Sequence, residues 1–240
     1  MERVPLPSSL PDRPRSRWAG LAVVLALVVV AGVFWNTPVV FPVKAFVVLL
    51  HEAGHAAAAV LTGGSVDRIE LTADLGGVCV SRGGWRPIVL AAGYLGSMLF
   101  GGAILVAAAR TRRDARLAAT LGLVVVALTL LLVRSLFGFL FGVLFSTALL
   151  AAARWLPDAA NDVLLKFLGL CSIAYAVMDI KDDLVTRTVP GSDAWQMSHE
   201  LFLPPVFWGV LWLAAAVVAG LVAVGLAARA EVAKALPPQQ

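Results

Sequence analysis

Charge is scarce in this chain. Asp, Glu, Lys and Arg make up 14% of its 240 residues, while 60% are hydrophobic. Soluble domains carry about 25% charged residues, so this deficit, with a mean hydropathy of +0.89, excludes a water-exposed globule and points to an integral membrane protein. Cysteine is nearly missing: Cys79 and Cys171 stand alone without a CxxC pair, which excludes a disulfide framework and reads as two small packing residues. Internal repeats are absent, which argues against a transporter built from two matching halves. The apolar run beginning at Trp18 has no small-x-small cleavage site and is about eighteen residues long, so it reads as an uncleaved span rather than a signal peptide. The net charge is +4, yet the arginines sit near the N-terminus and between apolar runs. That placement suits anionic lipid headgroups and argues against a nucleic-acid partner.

Apolar runs long enough to cross a bilayer, at about twenty residues each, are what the chain has in abundance. Seven candidate spans are expected, at 18–36, 39–62, 88–109, 116–133, 135–154, 163–187 and 204–228. The expected fold is an all-α integral membrane bundle of six to seven helices, multi-pass in a bacterial cell membrane. Residues 1–17, rich in Pro, Ser and Arg, read as a disordered cytoplasmic tail, residues 18–228 as one polytopic domain with its core at 39–190, and residues 229–240 as a C-terminal tail. The basic N-terminal tail places that end inside; strict alternation then puts the RTRRDAR stretch at 110–116 outside, against the same rule.

Inside the second span lies HEAGH, residues 51–55. His51 and His55 are one helical turn apart on one face and can grip a single zinc ion, while Glu52 beside them can take a proton from water. Ionisable groups at membrane depth are expensive and mark function by default. With three histidines in the chain, shuffling the composition would produce HExxH roughly once in a thousand tries.

A catalytic zinc has three protein ligands and a water. For the third ligand, Asp179 is the sequence candidate. It belongs to the cluster Asp179, Asp182, Asp183 that interrupts an apolar run. Its helix runs in the same direction as the HEAGH helix, and the two residues differ in depth by about 6 Å at 1.5 Å per residue. Asp182 and Asp183 read as outer-shell or water-access carboxylates. Asp193 and His199 are the remaining candidates: Asp193 reads as part of a helix N-cap with Ser192, and His199 falls in the 188–203 loop. Trp208 and Trp212, opening the last span, are expected at the headgroup belt.

Between the second and third spans, Ile69, Leu71, Ala73 and Leu75 alternate with Glu70, Thr72 and Asp74, and Gly76-Gly77 reverses the chain into residues 78–80. Period two with a Gly-Gly turn predicts a β-hairpin. A free edge on it would pair with an extended peptide, which matters because a helical substrate hides its carbonyls in hydrogen bonds. Small residues every fourth position, at Gly93, Ser97, Gly101 and at Gly138, Gly142, Ser146, predict close helix packing.

HEAGH in a span, a hairpin loop, the small-residue helix AGYLGSMLFG and a later helix bearing Asp179 together resemble the site-2 protease family of zinc intramembrane metallopeptidases, over roughly residues 39–190. The resemblance implies Zn2+ as cofactor, His51, His55 and Asp179 as its ligands, Glu52 as catalytic base, and a membrane-tethered protein as substrate. It also implies a compact branch without PDZ or sensor domain, in which a Ser-Asp-Ala stretch follows the acidic helix. Better-known members place glycine after the aspartate, where this chain has Ile180. The alternative reading is a catalytically silent relative that binds zinc or membrane partners without cleavage; an intact Glu52 argues against it.

Overall fold

The computed structural model describes residues 25–26, 28–29, 32–35, 37–181 and 190–235. From Phe41 onward, the described residues form seven helices and one hairpin in the order α1 (Phe41–Leu61), β1 (Ser65–Leu71), β2 (Gly77–Arg82), α2 (Arg86–Arg110), α3 (Asp114–Leu132), α4 (Leu136–Trp155), α5 (Asp158–Ile180), α6 (Asp193–Leu201) and α7 (Pro205–Ala235). All but α6 are long and apolar enough to cross a membrane, giving six candidate spans among the described residues. The expected first span, the tail at 1–17, and Asp182 and Asp183 fall largely or wholly outside the described residues.

Proline sets the first turn of α1 and of α2, where its missing N–H is not needed and its fixed φ favours the helix. Ser135 caps α4 by accepting from the Gly138 N–H. The turn expected at Pro157–Asn161 is tighter than its sequence suggests. Helix α5 starts at Asp158, and the Asn161 side chain donates to the carbonyls of Ala152, Leu156 and Pro157, closing the end of α4 onto α5. The last helix runs on to Ala235, past the expected end at 228.

At the centre stands α2, packed against α1, α5 and α7. Its small residues allow this, because in lipid helices associate by close van der Waals contact rather than by expelling water. A Cβ on Gly54 of α1 would run into the Ala92 carbonyl of α2, and one on Gly101 would lie 2.5 Å from the Ser172 Cβ and 2.9 Å from the Gly169 carbonyl of α5. The α3–α4 pair uses the same device, with Gly142 against Thr129. Gly54→Ala meets backbone, which no rotamer change relieves. It is therefore expected to destabilise the fold by about 1–3 kcal/mol, read as a lower midpoint of thermal unfolding in detergent; an unchanged midpoint would contradict this packing.

Far from HEAGH along α5, an ionic group ties α7 to α5. Lys166, its side chain 6% exposed, lies 2.6 Å from both Asp162 and Glu231, and Lys234 lies 3.6 Å from Asp162 and 3.9 Å from the buried Asp114. Opposite charges in such proximity offset the large penalty of burying each alone.

The hairpin forms, with boundaries shifted from the expected ones. Strand β1 starts earlier and ends at Leu71, so Ala73 and Leu75 lie in the turn. Thr72 N–H donates to the Gly76 carbonyl, and Leu75 sits at φ 68°. The antiparallel register pairs Ile69 with Cys79 and Leu71 with Gly77. The outer edge of β1 is occupied: the Ile69 carbonyl accepts from the Arg134 N–H, and Leu71 exchanges two hydrogen bonds with the Ser135 hydroxyl.

Candidate metal centre

Helix α1 places His51 and His55 one turn apart, with their rings edge-on at 4.8 Å. The neighbouring helix must leave room for them. Gly93 of α2 provides it, since a Cβ there would collide with Nε2 of both histidines. The ring of Tyr94 meets His51 edge to face at 4.7 Å. His55 Nδ1–H donates to the Val89 carbonyl at 2.7 Å. This bond fixes the tautomer and leaves Nε2 turned inward, as when a metal-bound imidazole donates its other N–H to a carbonyl.

The third member of the group, and its acidic one, is Asp193. Its Oδ2 lies 3.1 Å from His51 Nε2 and 3.2 Å from His55 Nε2, with the carboxylate side chain only 11% exposed. Among the described residues these three form the one group of His, Cys, Asp or Glu with donor atoms all within 4.8 Å of one another. The structure thus brings Asp193, rather than Asp179, to the histidines. Asp179 lies near the end of α5 and lines the same cavity. Asp193 reaches the centre because Gly191, at φ 86°, turns the chain in a way glycine favours. Ser192 then caps α6 by accepting from the Trp195 N–H, so the cap belongs to Ser192 and Asp193 is free to point at the histidines. The Gly-Ser-Asp run was the available sequence signal. His199 lies elsewhere on α6, its Nδ1–H donating to the Trp195 carbonyl.

The donor set fits a metal ion. With Nδ1–H of His55 committed to Val89, a neutral ring would aim the lone pair of Nε2 at a carboxylate oxygen. That contact is repulsive unless a cation, either a second proton or a metal ion, lies between them. Ligand atoms about 2.1 Å from one tetrahedral zinc lie about 3.4 Å apart, close to the spacings of Asp193 from the two histidines. Burial works to raise the Asp193 carboxyl, but the charges and hydrogen bonds of His55 and His51 outweigh it and hold the group well below the usual carboxylate range.

Glu52 is 4% exposed. The Cys79 backbone N–H faces its carboxylate, and among the described residues its Oε2 has no hydrogen-bond partner. A buried carboxylate oxygen left unpaired next to the histidines is poised for a ligand or a water. Gly77 lets β2 come this close, because a Cβ there would strike Glu52 Oε1. The Cys79 thiol is pushed up to about 12 by burial and then by the Glu52 charge, so it is no nucleophile at neutral pH.

The cavity around these groups measures about 430 Å³ and is bounded by α1, α2, α6 and the hairpin turn, with Tyr175 and Asp179 from α5. Since Cys79 N–H points at Glu52, away from β1, the backbone groups of Gly77, Cys79 and Ser81 alternate onto the outer edge of β2. All three residues line the cavity. Outside the cavity, Trp212 of α7 is 3% exposed and meets Tyr94 at 5.8 Å with the two rings tilted by 38°. Trp212 thus packs inside the bundle, behind the tyrosine that meets His51.

A family model described as Peptidase M50B-like matches residues 24–223, most of the chain. No curated protein and no solved structure matches it.

Proposed function

We propose, on the premise that the chain belongs to the Peptidase M50B-like family and is a membrane metallopeptidase of the site-2 protease kind, that it is a zinc endopeptidase cutting a peptide bond in or near a transmembrane segment of a membrane-tethered protein. The observation that carries this reading is the convergence of His51, His55 and Asp193 with the buried, half-unpaired Glu52 beside the outer edge of β2.

His51 Nε2, His55 Nε2 and Asp193 Oδ2 would hold the ion. A zinc bound there would supply a Lewis acid and bring the pKa of a bound water towards neutrality. Glu52 takes the proton of the attacking water and delivers it to the departing amide nitrogen, so the C–N bond breaks with the amine leaving neutral. The Cys79 N–H on one carboxylate oxygen holds Glu52 in orientation and leaves the other oxygen for the proton. Backbone groups of Gly77 and Ser81, with the Cys79 carbonyl, offer strand partners to a substrate segment that has left the helical form, exposing its carbonyls.

Glu52→Gln keeps the shape and removes the base. It is expected to lose at least the 10²–10⁴-fold that general acid–base catalysis contributes while keeping its metal. The measurement is cleavage of a membrane-tethered reporter in proteoliposomes beside metal content. Undiminished cleavage by Glu52→Gln would remove Glu52 from the mechanism.

A further inference from the structure

The donor Asp193 does not sit on a membrane span. It opens α6, a helix of nine residues, and something must hold that helix at the histidines. Two buried side chains, Ala194 and Met197, dock α6 onto the apolar cluster that includes Leu90, Tyr94 and Trp212. Apolar contact gives adhesion but fixes register poorly. Register is where Arg86, the first residue of α2, enters. Its Nε lies 2.8 Å from Glu200 Oε1, and its Nη2 donates to Gln196 Oε1 at 2.6 Å. Gln196 in turn donates through Nε2 to the Gly191 carbonyl at 3.0 Å. One guanidinium thus reaches the backbone two residues before Asp193, at the glycine whose left-handed turn aims that carboxylate.

We infer that Arg86 and Gln196 are positioning residues for the metal centre, a polar strap that sets the register of α6 and so the place of Asp193 Oδ2 between His51 and His55. The inference rests on the reading of Asp193 as the third ligand. The planar fork of arginine suits the task, since two donors at fixed angle define an orientation that a lysine ammonium does not. Arg86 and Glu200 are 55% and 39% exposed in their side chains; such a pair adds little to global stability, so its effect concentrates on geometry. It also gives Glu200 a partner on the helix that carries both Gly93 and Tyr94.

The test uses the full chain in detergent, with Co2+ as the probe. Its affinity is measured by chelator competition and its ligand set by the visible absorption spectrum. Arg86→Ala and Gln196→Ala are expected to weaken Co2+ binding by about tenfold, the low end for outer-shell changes, and to change the visible spectrum of the bound ion from that of the wild type. The exchanged pair Arg86→Glu with Glu200→Arg should recover part of the affinity lost in Arg86→Glu alone. Should Arg86→Ala fail to fold, Gln196→Ala, which leaves the ion pair intact, carries the test. Wild-type affinity and spectrum in both single variants, alongside loss of Co2+ in Asp193→Ala, would overturn the strap and leave the three-donor centre standing. A wild-type chain that binds no Co2+ would overturn both.

Discussion

Asp193→Ala is expected to strip the protein of its metal, whereas Asp179→Ala is expected to keep about one zinc per chain, the full complement of a three-ligand site. The two aspartates line one cavity, but only Asp193 has a carboxylate oxygen within 3.2 Å of both histidine Nε2 atoms. Removing it leaves two imidazoles, too few to close a catalytic zinc site, and the loss of affinity should exceed the 10- to 100-fold typical of an outer-shell change. Metal content of purified wild type and the two variants, after equal exposure to a chelator, decides the matter. If Asp179→Ala lost its zinc and Asp193→Ala retained it, the third ligand would have to be reassigned.

Gly93→Ala should be nearly as damaging, through one methyl group. The added carbon would overlap Nε2 of both histidines and lie 2.6 Å from His55 Cε1, so either the rings rotate away from Asp193 or α2 moves off α1. Overpacking of this kind costs about 1–3 kcal/mol, and here the strain falls on the ligand atoms themselves. Metal content and the thermal midpoint are both expected to drop. Gly225→Ala on α7, where a Cβ meets nothing within 4 Å, is the control. It should be neutral or gain up to about 1 kcal/mol from helix propensity. Full zinc occupancy in Gly93→Ala would show that the rings have more room than the structure gives them.

The histidines and Glu52 were legible from sequence because their relation is local: four residues on a helix bring two rings to one face. The hairpin was legible for the same reason, although the turn widened to take in Ala73 and Leu75 once Thr72 paired with Gly76. Asp193 was not, since nothing in local periodicity says which aspartate returns to a distant helix. Depth favours Asp179 only if every donor rides on a span, and Asp193 approaches the histidines from α6, which is not one. Gly93 showed as one small residue in a packing stripe; that its missing side chain is filled by imidazole depends on the pairing of α1 with α2. The habits of tryptophan at membrane surfaces say nothing of the ring contact with Tyr94 that buries Trp212.

The 142 residues that separate His51 from Asp193 have a bearing on biosynthesis. A ribosome adding roughly 5–20 residues per second finishes the histidine pair some seven to thirty seconds before it makes the aspartate. During that interval the nascent chain carries Glu52 and the two histidines but not the carboxylate that completes the donor group. The three donors therefore come together only after five of the six candidate spans among the described residues have been made.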